Sequence, residues 1–325
     1  MNTQTTPSIK RPRDVLSAEQ IGALTARSDI RGLWAVISTW IVIAATFTVM
    51  AIWPNPLTIF FGAWMLAGRQ LALAILQHEA AHGTLFRSRM LNDVLGDWAC
   101  ARPIWLDMHK YRAHHLRHHA HTGLDGDPDL SLSAPFPVTR RSLARKLLRD
   151  ITGYTGLKVM LGHVLMAAGI IRWTVANDIE RLPPDGRNGL DRLMLTLRNL
   201  GPTLLFHAAL FALLWSLGQA WMFALWMLAY LAPFALLLRL RSLAEHACTE
   251  AVGDAFRNTR TTHAGWLARM TVAPMRVNYH IEHHFMASVP YYRLPELHSL
   301  LREKGLFETL PGYLDVLRTV SAKPV

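Results

Sequence analysis

The sequence predicts an all-α integral membrane protein with four transmembrane helices in two hairpins and a helical cytoplasmic cap. Hydrophobic residues make up 51% of the 325 residues and charged residues only 18%, whereas soluble domains usually carry about 25% charged residues. Several uncharged stretches reach the roughly 17 to 25 residues that a membrane-spanning helix needs. The chain also holds 16 histidines and only 2 cysteines, which excludes a disulfide scaffold or a cysteine-based zinc module.

The first predicted hairpin comes from two apolar stretches separated by a proline turn. Residues 33–53 contain no charge, and residues 57–76 form a second apolar run that only Arg69 and Gln70 interrupt. The turn at 54–56 holds two prolines, each of which disfavours helix at the residue before it. Arg69 and Gln70 are expected to face neighbouring helices or to reach toward the cytoplasmic end, because polar side chains avoid lipid.

The second predicted hairpin comes from residues 200–238, which carry no charge. At a rise of about 1.5 Å per residue, one helix of this length would be nearly twice as long as the hydrocarbon core is thick. Gly218 and its neighbours break the run, so spans are predicted at about 200–216 and 220–238. Residues 159–171, between the hairpins, are apolar but too short to cross, which predicts a helix lying in the membrane interface.

The distribution of charge predicts the orientation and the domain organisation. Lys and Arg number 34 against 23 Asp and Glu, a net charge of +11. Both short turns between paired spans are uncharged, so the charges lie on the side of the N-terminus, which the positive-inside rule makes cytoplasmic. The predicted parts are a cytoplasmic N-terminal segment (1–32), a membrane domain (33–300) and a cytoplasmic C-terminal tail (301–325). The same rule explains the basic excess, so nucleic acid is not expected as a partner.

Histidines grouped at helical spacing in three motifs give the strongest chemical signal. HEAAH is followed by HLRHH and HIEHH, and the eight histidines are His78, His82, His115, His118, His119, His280, His283 and His284. Residues three and four apart lie on one face of a helix, so two imidazoles can reach one metal ion at about 2.0 to 2.1 Å. Adjacent histidines point about 100° apart, so the last two motifs can each serve two metal ions.

The other histidines carry weaker signals. Four stand alone and are expected to be ordinary polar side chains: His163, His207, His263 and His298. Three flank HLRHH and are expected at the hydrated surface, with support of a ligating histidine as the alternative: His109, His114 and His121.

Two other functional classes fit parts of this pattern. HEAAH matches the H-E-x-x-H signature of zinc metalloproteases, in which the glutamate is the general base, but that interpretation leaves HLRHH and HIEHH without a role. A metal transporter would place its ligands inside the spans along a pathway. Only His207 lies well inside an apolar stretch, which disfavours this second alternative.

The three motifs together resemble those of the integral-membrane fatty acid desaturase and hydroxylase superfamily. HEAAH, then YRAHHLRHH with Asp127-Pro128-Asp129 shortly after, then NYHIEHH, occur in this order on two hairpins. The resemblance covers roughly residues 33–300. It is closest to bacterial-type fatty acid desaturases, with LFRSRMLND after the first motif and RSLAEHA before the third. It implies a di-iron centre of two Fe²⁺ ions in the cap and, in a bacterium, a place in the inner membrane.

The resemblance also implies a ninth ligand. Desaturases of this kind use a further histidine after the last span, and His246 in RSLAEHA occupies the matching place. The implied ligands are therefore His78, His82, His115, His118, His119, His246, His280, His283 and His284. In an acyl-CoA desaturase of known type an asparagine four residues before the extra histidine approaches a metal through water; here that position holds Ser242.

The implied activity is O2-dependent desaturation of a fatty acyl lipid. Imidazole suits several metals, so iron rests on the resemblance. Loss of two hydrogens gives an alkene and recapture of oxygen gives an alcohol, so a lipid or terpenoid hydroxylase or ketolase is the alternative. Five carboxylates are expected to orient the ligating imidazoles by accepting their outer N–H: Glu79, Asp127, Asp129, Glu245 and Glu282. A plain turn is the alternative for the two aspartates.

Electrons are expected to come from another protein. The sequence shows no glycine motif for a flavin or nicotinamide, no four-cysteine cluster site and no His-Pro-Gly-Gly haem signature. We expect an external donor, such as a ferredoxin with its reductase, to dock on the basic cytoplasmic face.

Overall fold

The computed structural model describes residues 11–173, 179–307 and 309–323. Residues 1–10 of the predicted N-terminal segment, and residues 308, 324 and 325 of the predicted tail, lie outside the described residues. Nearly all the regular structure in these ranges is helical, which confirms the predicted all-α class.

The helices and strands are numbered in chain order. The α-helices are α1 Ala18–Leu24, α2 Asp29–Ile52, α3 Pro56–His82, α4 Arg89–Leu95, α5 Met108–His121, α6 Leu130–Ser133, α7 Arg140–Ile151, α8 Tyr154–Ala167, α9 Gly189–Ser216, α10 Trp221–Leu231, α11 Pro233–His246, α12 Ala255–Asn258, α13 Trp266–Met270, α14 His280–Phe285, α15 Leu294–Glu303 and α16 Tyr313–Val320. Short 3-10 turns lie at Pro12–Asp14, Arg102–Ile104, Pro274–Arg276 and Tyr291–Arg293, and a π-helical turn at Gly96–Ala101. One small antiparallel hairpin pairs β1 Ile171–Trp173 with β2 Ile179–Arg181.

Four helical segments of the described chain are long and apolar enough to cross a membrane: Ala18–Ile52, Pro56–His82, Gly189–Ser216 and Trp221–His246. The chain is therefore a membrane protein. Their outer faces expose large apolar side chains such as Ile41, Phe61 and Leu205, as expected of surfaces that contact lipid.

Two of these segments extend well past the spans expected from charge. α3 continues beyond residue 76 to His82, and α9 begins at Gly189 instead of near residue 200. The reason is capping: the Asn188 side chain accepts hydrogen bonds from the backbone N–H groups of Leu190 and Asp191 and so starts α9 within the polar region. A charge ends a hydrophobic stretch but does not end a helix.

α3 is the central helix of the molecule. It packs against α2, α5, α10 and α11, and its side chains are almost all buried from Leu66 onward. Arg69 donates to the carbonyl of Met270 at 2.8 Å, and Gln70 donates to the carbonyl of Trp226 at 3.0 Å. These two polar side chains therefore bind neighbouring backbone, as expected.

α8 is the short apolar helix expected in the interface. It begins earlier than residue 159 and ends at Ala167, before the strand β1. Gly156 lies so close to α10 that a Cβ there would stand 2.1 Å from the carbonyl oxygen of Leu231. Leu157 and Leu161 are both 58% exposed, so α8 presents an apolar face outward.

The remaining helices form a cap on one side of the spans. Leu24 of α1 packs with Leu297 and Leu301 of α15 in a core separate from that of the spans. The N-terminal helix and the C-terminal part of the described chain thus lie on the same side. The end of α3, the end of α11, and the helices α5 and α14 meet beneath this cap.

Candidate metal centre

All nine histidines implied as ligands meet in one cluster at the base of the cap. His78 and His82 lie in the last turn of α3, and His246 is the last residue of α11. The remaining six come from α5 and α14. Helical spacing explains why the members of each motif share a face, and the meeting of four helical segments brings the motifs together.

Five histidines form the first group, in which the ligand atoms all lie within 4.8 Å of one another: His78, His82, His115, His119 and His283. The Nε2 atom of His115 lies 2.9 Å from that of His82 and 3.0 Å from that of His119. The Nε2 atoms of His119 and His283 are also 3.0 Å apart. Two nitrogens bound to one ion at about 2.1 Å would be separated by roughly 3.0 to 3.4 Å. The spacing therefore fits nitrogens that share one ion.

Hydrogen bonding between the rings does not explain these contacts. A ring nitrogen of a neutral imidazole either donates one proton or accepts at one lone pair. The Nε2 atoms of His115 and His119 each contact two other Nε2 atoms. The three contacts cannot all be hydrogen bonds at once, whereas a cation at their centre satisfies every lone pair.

The second group lies directly beside the first. Its ligand atoms belong to His118, His246 and His284, and the Nε2 atom of His280 lies 2.8 Å from that of His246. The rings of His119 and His284 stack with centroids 4.1 Å apart and so join the two groups. Nine histidines in two adjacent groups fit two metal ions.

Electrostatics favours metal binding at these rings. Burial, followed by the neighbouring imidazoles, lowers the pKa of His119 to about 2 and that of His115 and His283 well below its usual range. The rings are therefore neutral at physiological pH, the state that binds metal. Among the described residues, both ring nitrogens of His78 and the Nε2 atom of His284 are buried without a hydrogen-bond partner. Such orphaned atoms cost about 1 to 3 kcal/mol each, which a bound cation would offset.

Asp127 contacts the middle motif directly. Its Oδ1 atom lies 2.8 Å from Nδ1 of His118, and its Oδ2 atom accepts a hydrogen bond from the backbone N–H of Gly123 at 2.9 Å. Asp129 contacts His114 instead, at 2.9 Å, and lies 3.8 Å from His118. The segment is thus more than a plain turn, and His114 is not the free surface residue that we expected. His109 and His121 are exposed.

Glu79 and Glu245 lie one step further from the ligands. Glu79 approaches Nδ1 of His78 at 3.6 Å, and Glu245 approaches Nδ1 of His280 at the same distance. Both distances are too long for hydrogen bonds. Each carboxylate is held elsewhere, Glu79 by the Thr84 hydroxyl at 2.9 Å and Glu245 by Nε of Arg241 at 2.7 Å.

Glu282 does not point at a ligating histidine. Its carboxylate accepts from the Thr261 hydroxyl at 2.5 Å and from Nδ1 of His298. The expected contact with a motif histidine is therefore replaced, because the residue lies on the side of α14 away from the cluster. His298, expected to be an ordinary polar side chain, instead holds this helix. His207 is buried apart from the cluster, stacked on Trp105 at 4.7 Å.

Two further residues position the motifs and went unrecognised in the sequence. Arg112 donates to the carbonyls of Ala80 and Ala81 at the end of α3 and binds Asp93 at 2.7 Å. The signal for it was a cation one helix away from a helix C-terminus. Thr122 donates to the carbonyl of His118 and therefore accepts from Nδ1 of His284, 3.2 Å away. No sequence pattern marks such a threonine.

A cavity of about 310 Å³ reaches the cluster from the side of α11. His118 and His246 form part of its wall, Arg241 and Ser242 line it from α11, and apolar side chains complete it, among them Leu130, Leu132, Phe136 and Leu238. The position of Ser242 thus faces the space next to the ligands. The cavity is within the size range of small-molecule sites, about 300 to 1,000 Å³.

The two alternative classes do not fit this arrangement. A metalloprotease needs the glutamate of its motif free to activate water, but Glu79 also accepts a hydrogen bond from the backbone N–H of Tyr291 at 2.9 Å. A transporter would distribute ligands along the spans, whereas all nine implied ligands lie in one cluster beneath the cap.

Comparison with known proteins agrees with the geometry. Dihydrorhizobitoxine desaturase of Bradyrhizobium elkanii is 25% identical over 296 residues, which cover 89% of this chain and 78% of that protein. Zeaxanthin 4-ketolase of Chlamydomonas reinhardtii is 35% identical over 154 residues, 44% of this chain and 33% of the ketolase. Beta-carotene 4-ketolase of Protosiphon botryoides is 40% identical over 85 residues, 26% of this chain and 21% of the ketolase. Both ketolase matches thus span a third or less of those proteins.

The relatives indicate an oxidoreductase. The family profile described as "Fatty acid desaturase" matches residues 51–313, a range that contains all nine clustered histidines and the last three spans. The chain belongs to the fatty acid desaturase family.

Proposed function

We propose that this chain is an O2-dependent oxidoreductase that introduces a C=C bond into a fatty acyl lipid, using two Fe²⁺ ions held by the nine histidines. The observation that carries the proposal is the convergence of nine neutral, buried imidazoles in two adjacent groups, in a chain of the fatty acid desaturase family. Two iron ions bound there would supply the activation of O2 that oxidation of an unactivated C–H bond requires.

The surrounding residues set the direction of the ligating nitrogens. Asp127 accepts the Nδ1 proton of His118, and Thr122 accepts that of His284. Each ring therefore presents an unprotonated Nε2 to the cluster, the tautomer that binds metal. This arrangement requires no proton transfer from a side chain and no protein nucleophile.

The 310 Å³ cavity is the proposed place of the substrate. Its apolar wall, with Leu130, Leu132 and Phe136, suits an aliphatic chain, and the wall opposite contains His118 and His246. Apolar walls next to the cluster exclude water, which protects an oxidising site from side reactions.

Oxygen insertion is the second candidate reaction. The observation that favours it is the similarity to two carotenoid ketolases at higher identity, although over shorter stretches, than to the desaturase. The same histidine cluster and cavity would serve a hydroxylase or ketolase acting on a lipid or terpenoid.

Metal analysis and product analysis test the proposal together. We expect about two irons per purified chain, and an alkene as the product in a host that lacks the activity. His118→Ala and His283→Ala should abolish product while the protein still inserts into the membrane, whereas His163→Ala, in α8 and outside the cluster, should retain it. An alcohol or ketone would favour the second candidate. One zinc per chain, or full activity in the two cluster variants, would contradict both.

We also propose that an external electron donor, such as a ferredoxin with its reductase, docks on the outer side of α5. Lys110 and Arg117 are exposed on the helix that carries the middle motif, so an acidic protein bound there would lie close to the cluster. Charge complementarity of this kind mainly raises the association rate at low salt. Lys110→Glu with Arg117→Glu should therefore slow donor-dependent turnover by about tenfold or more at low salt. Arg302→Glu with Lys304→Glu, at the end of α15, is the control, and equal turnover in both variants would disprove this dock.

The proposed orientation places the cap, the cluster and both chain ends in the cytoplasm. Its support is the positive-inside rule applied to a net charge of +11. Reporter fusions at residue 1 and residue 325 should both be active in the cytoplasm.

A further inference from the structure

α7 carries an unusual concentration of exposed positive charge. Its residues Ser142, Arg145, Lys146, Leu148 and Arg149 line one concave surface of about 420 Å³, which we call the basic groove. The only acid of α7 is Asp150, which already binds Arg239 and the Thr155 hydroxyl. Within the described ranges, Arg145 and Arg149 form no ion pair with a carboxylate.

The charges of the groove repel one another. Burial and then Arg239, Arg149 and Arg145 lower the pKa of Lys146, against the opposing effect of Asp150. An anion placed among these side chains would remove the repulsion, since opposite charges a few ångströms apart favour the charged form.

The contacts of α7 set its depth in the membrane. Asp150 binds Arg239 of α11 at 3.0 Å, and Arg239 is the first charged residue after the uncharged stretch 200–238. The first charge that follows a membrane span lies at the level of the lipid headgroups. The basic groove therefore lies at that level, on the side of the histidine cluster.

α8 continues this surface into the hydrocarbon region. Gly156 packs on Leu231, which precedes Arg239 in the same span and so lies about 12 Å deeper in the membrane. The exposed residues of α8 include Leu157, Leu161 and Val164, which recur at helical spacing and form an apolar row.

We propose that the basic groove and the apolar row of α8 form a binding site for an anionic phospholipid, with the phosphate at Arg145, Lys146 and Arg149 and the acyl chains along α8. A free phosphate would not need the apolar row. An acidic soluble protein would not need one at bilayer depth either. The site lies outside the histidine cluster and does not depend on which reaction the cluster performs.

Lipid retention tests the proposal on the full, iron-loaded chain. The protein is purified in mild detergent micelles containing equal amounts of phosphatidylglycerol and phosphatidylcholine with the same acyl chains, and the lipids bound per chain are counted by mass spectrometry. Each cation near a lipid surface contributes about a fivefold gain in binding, so Arg145→Gln with Arg149→Gln should retain phosphatidylglycerol about 25-fold more weakly. Arg302→Gln with Lys304→Gln should retain it like the unaltered chain.

A second variant separates lipid from free phosphate. Leu157→Gln with Leu161→Gln leaves the basic groove intact and should lower phosphatidylglycerol retention at unchanged iron content. Retention that is equal in all variants would overturn the proposal. So would release of the lipid by excess inorganic phosphate at constant ionic strength, which would identify a phosphate site. Unchanged retention with slower donor-dependent turnover in Arg145→Gln with Arg149→Gln would assign the groove to an acidic protein and also overturn it.

Discussion

A ligating histidine works only if its outer nitrogen is held, and Asp127 is the residue best placed to do this. It accepts from His118, from the backbone N–H of Gly123 and from that of Asp129. Burial acts to raise the pKa of Asp127, but these hydrogen bonds and the nearby His118 lower it below its usual value. The carboxylate therefore remains ionised and stabilises the Nδ1–H tautomer of His118.

Replacing this carboxylate should weaken metal binding without removing a ligand. Asp127→Ala is expected to lower iron affinity by about 10- to 100-fold, the usual effect of losing such a partner. Iron per chain, measured by mass spectrometry after dialysis against a graded series of chelator concentrations, provides the measurement.

Asp129→Ala is the matched control for this effect. Asp129 lies 3.8 Å from His118 and binds His114, which is not in the cluster. Its removal should leave iron affinity within about threefold of the unaltered chain, since only a surface-type contact is lost. An equal loss in the two variants would show that the turn, not the carboxylate of Asp127, matters.

At the residue scale, sequence reasoning found the ligands more easily than their supports. The spacing of His115, His118 and His119 follows from helix geometry alone. The direction of Glu282 toward His298, and the contact of Thr122 with His284, depend on how α14 packs against distant segments. Such contacts between residues far apart in sequence leave no periodic signal.

At the scale of elements, the crossing of α8 with α10 depends on one small residue. Gly156 brings the two helices together with the Leu231 carbonyl 2.1 Å from the position of an added Cβ. Gly22 in α1, in contrast, has no neighbouring atom within 4 Å of that position. The two glycines form a matched pair, because both lie inside helices.

Gly156→Ala should destabilise the protein by about 1 to 3 kcal/mol, because the methyl group forces the helices apart. Gly22→Ala should stabilise it by about 0.5 to 1 kcal/mol, because alanine favours helix more than glycine does. Thermal unfolding in detergent measures both. A loss of stability in both variants would mean that helix packing at Gly156 is not the cause.

The predicted elements were correct in type and less accurate in extent. Uncharged stretches identified the four spans, but α9 begins at Gly189 because Asn188 caps it, and α3 ends only at Gly83, where the backbone turns left-handed at φ 68°. A hydrophobic stretch reports contact with lipid, whereas hydrogen bonding at the caps sets the length of a helix.

At the scale of the whole molecule, the cluster joins segments that are far apart in sequence. His82 of α3 lies beside His283 of α14, with ring centroids 4.8 Å apart. The sequence predicted which histidines belong together within a motif, and the resemblance implied the full set. The pairing across motifs, such as that of His246 with His280 at 2.8 Å, follows only from the packing of the cap on the spans.

This architecture predicts that metal stabilises the cap more than the spans. α14 has only 6 residues, too few to be stable alone. Apart from the cluster, it is held by hydrogen bonds to Thr261 and His298. A ligand at 100 times its Kd adds about 2.7 kcal/mol to the state that binds it, so metal removal should speed amide exchange in α14 by about 100-fold. Hydrogen exchange followed by mass spectrometry, with and without iron, checks this, with α2 as the internal reference because it supplies no clustered histidine. Faster exchange in α2 with no change in α14 would mean that the cluster does not join the cap to the spans.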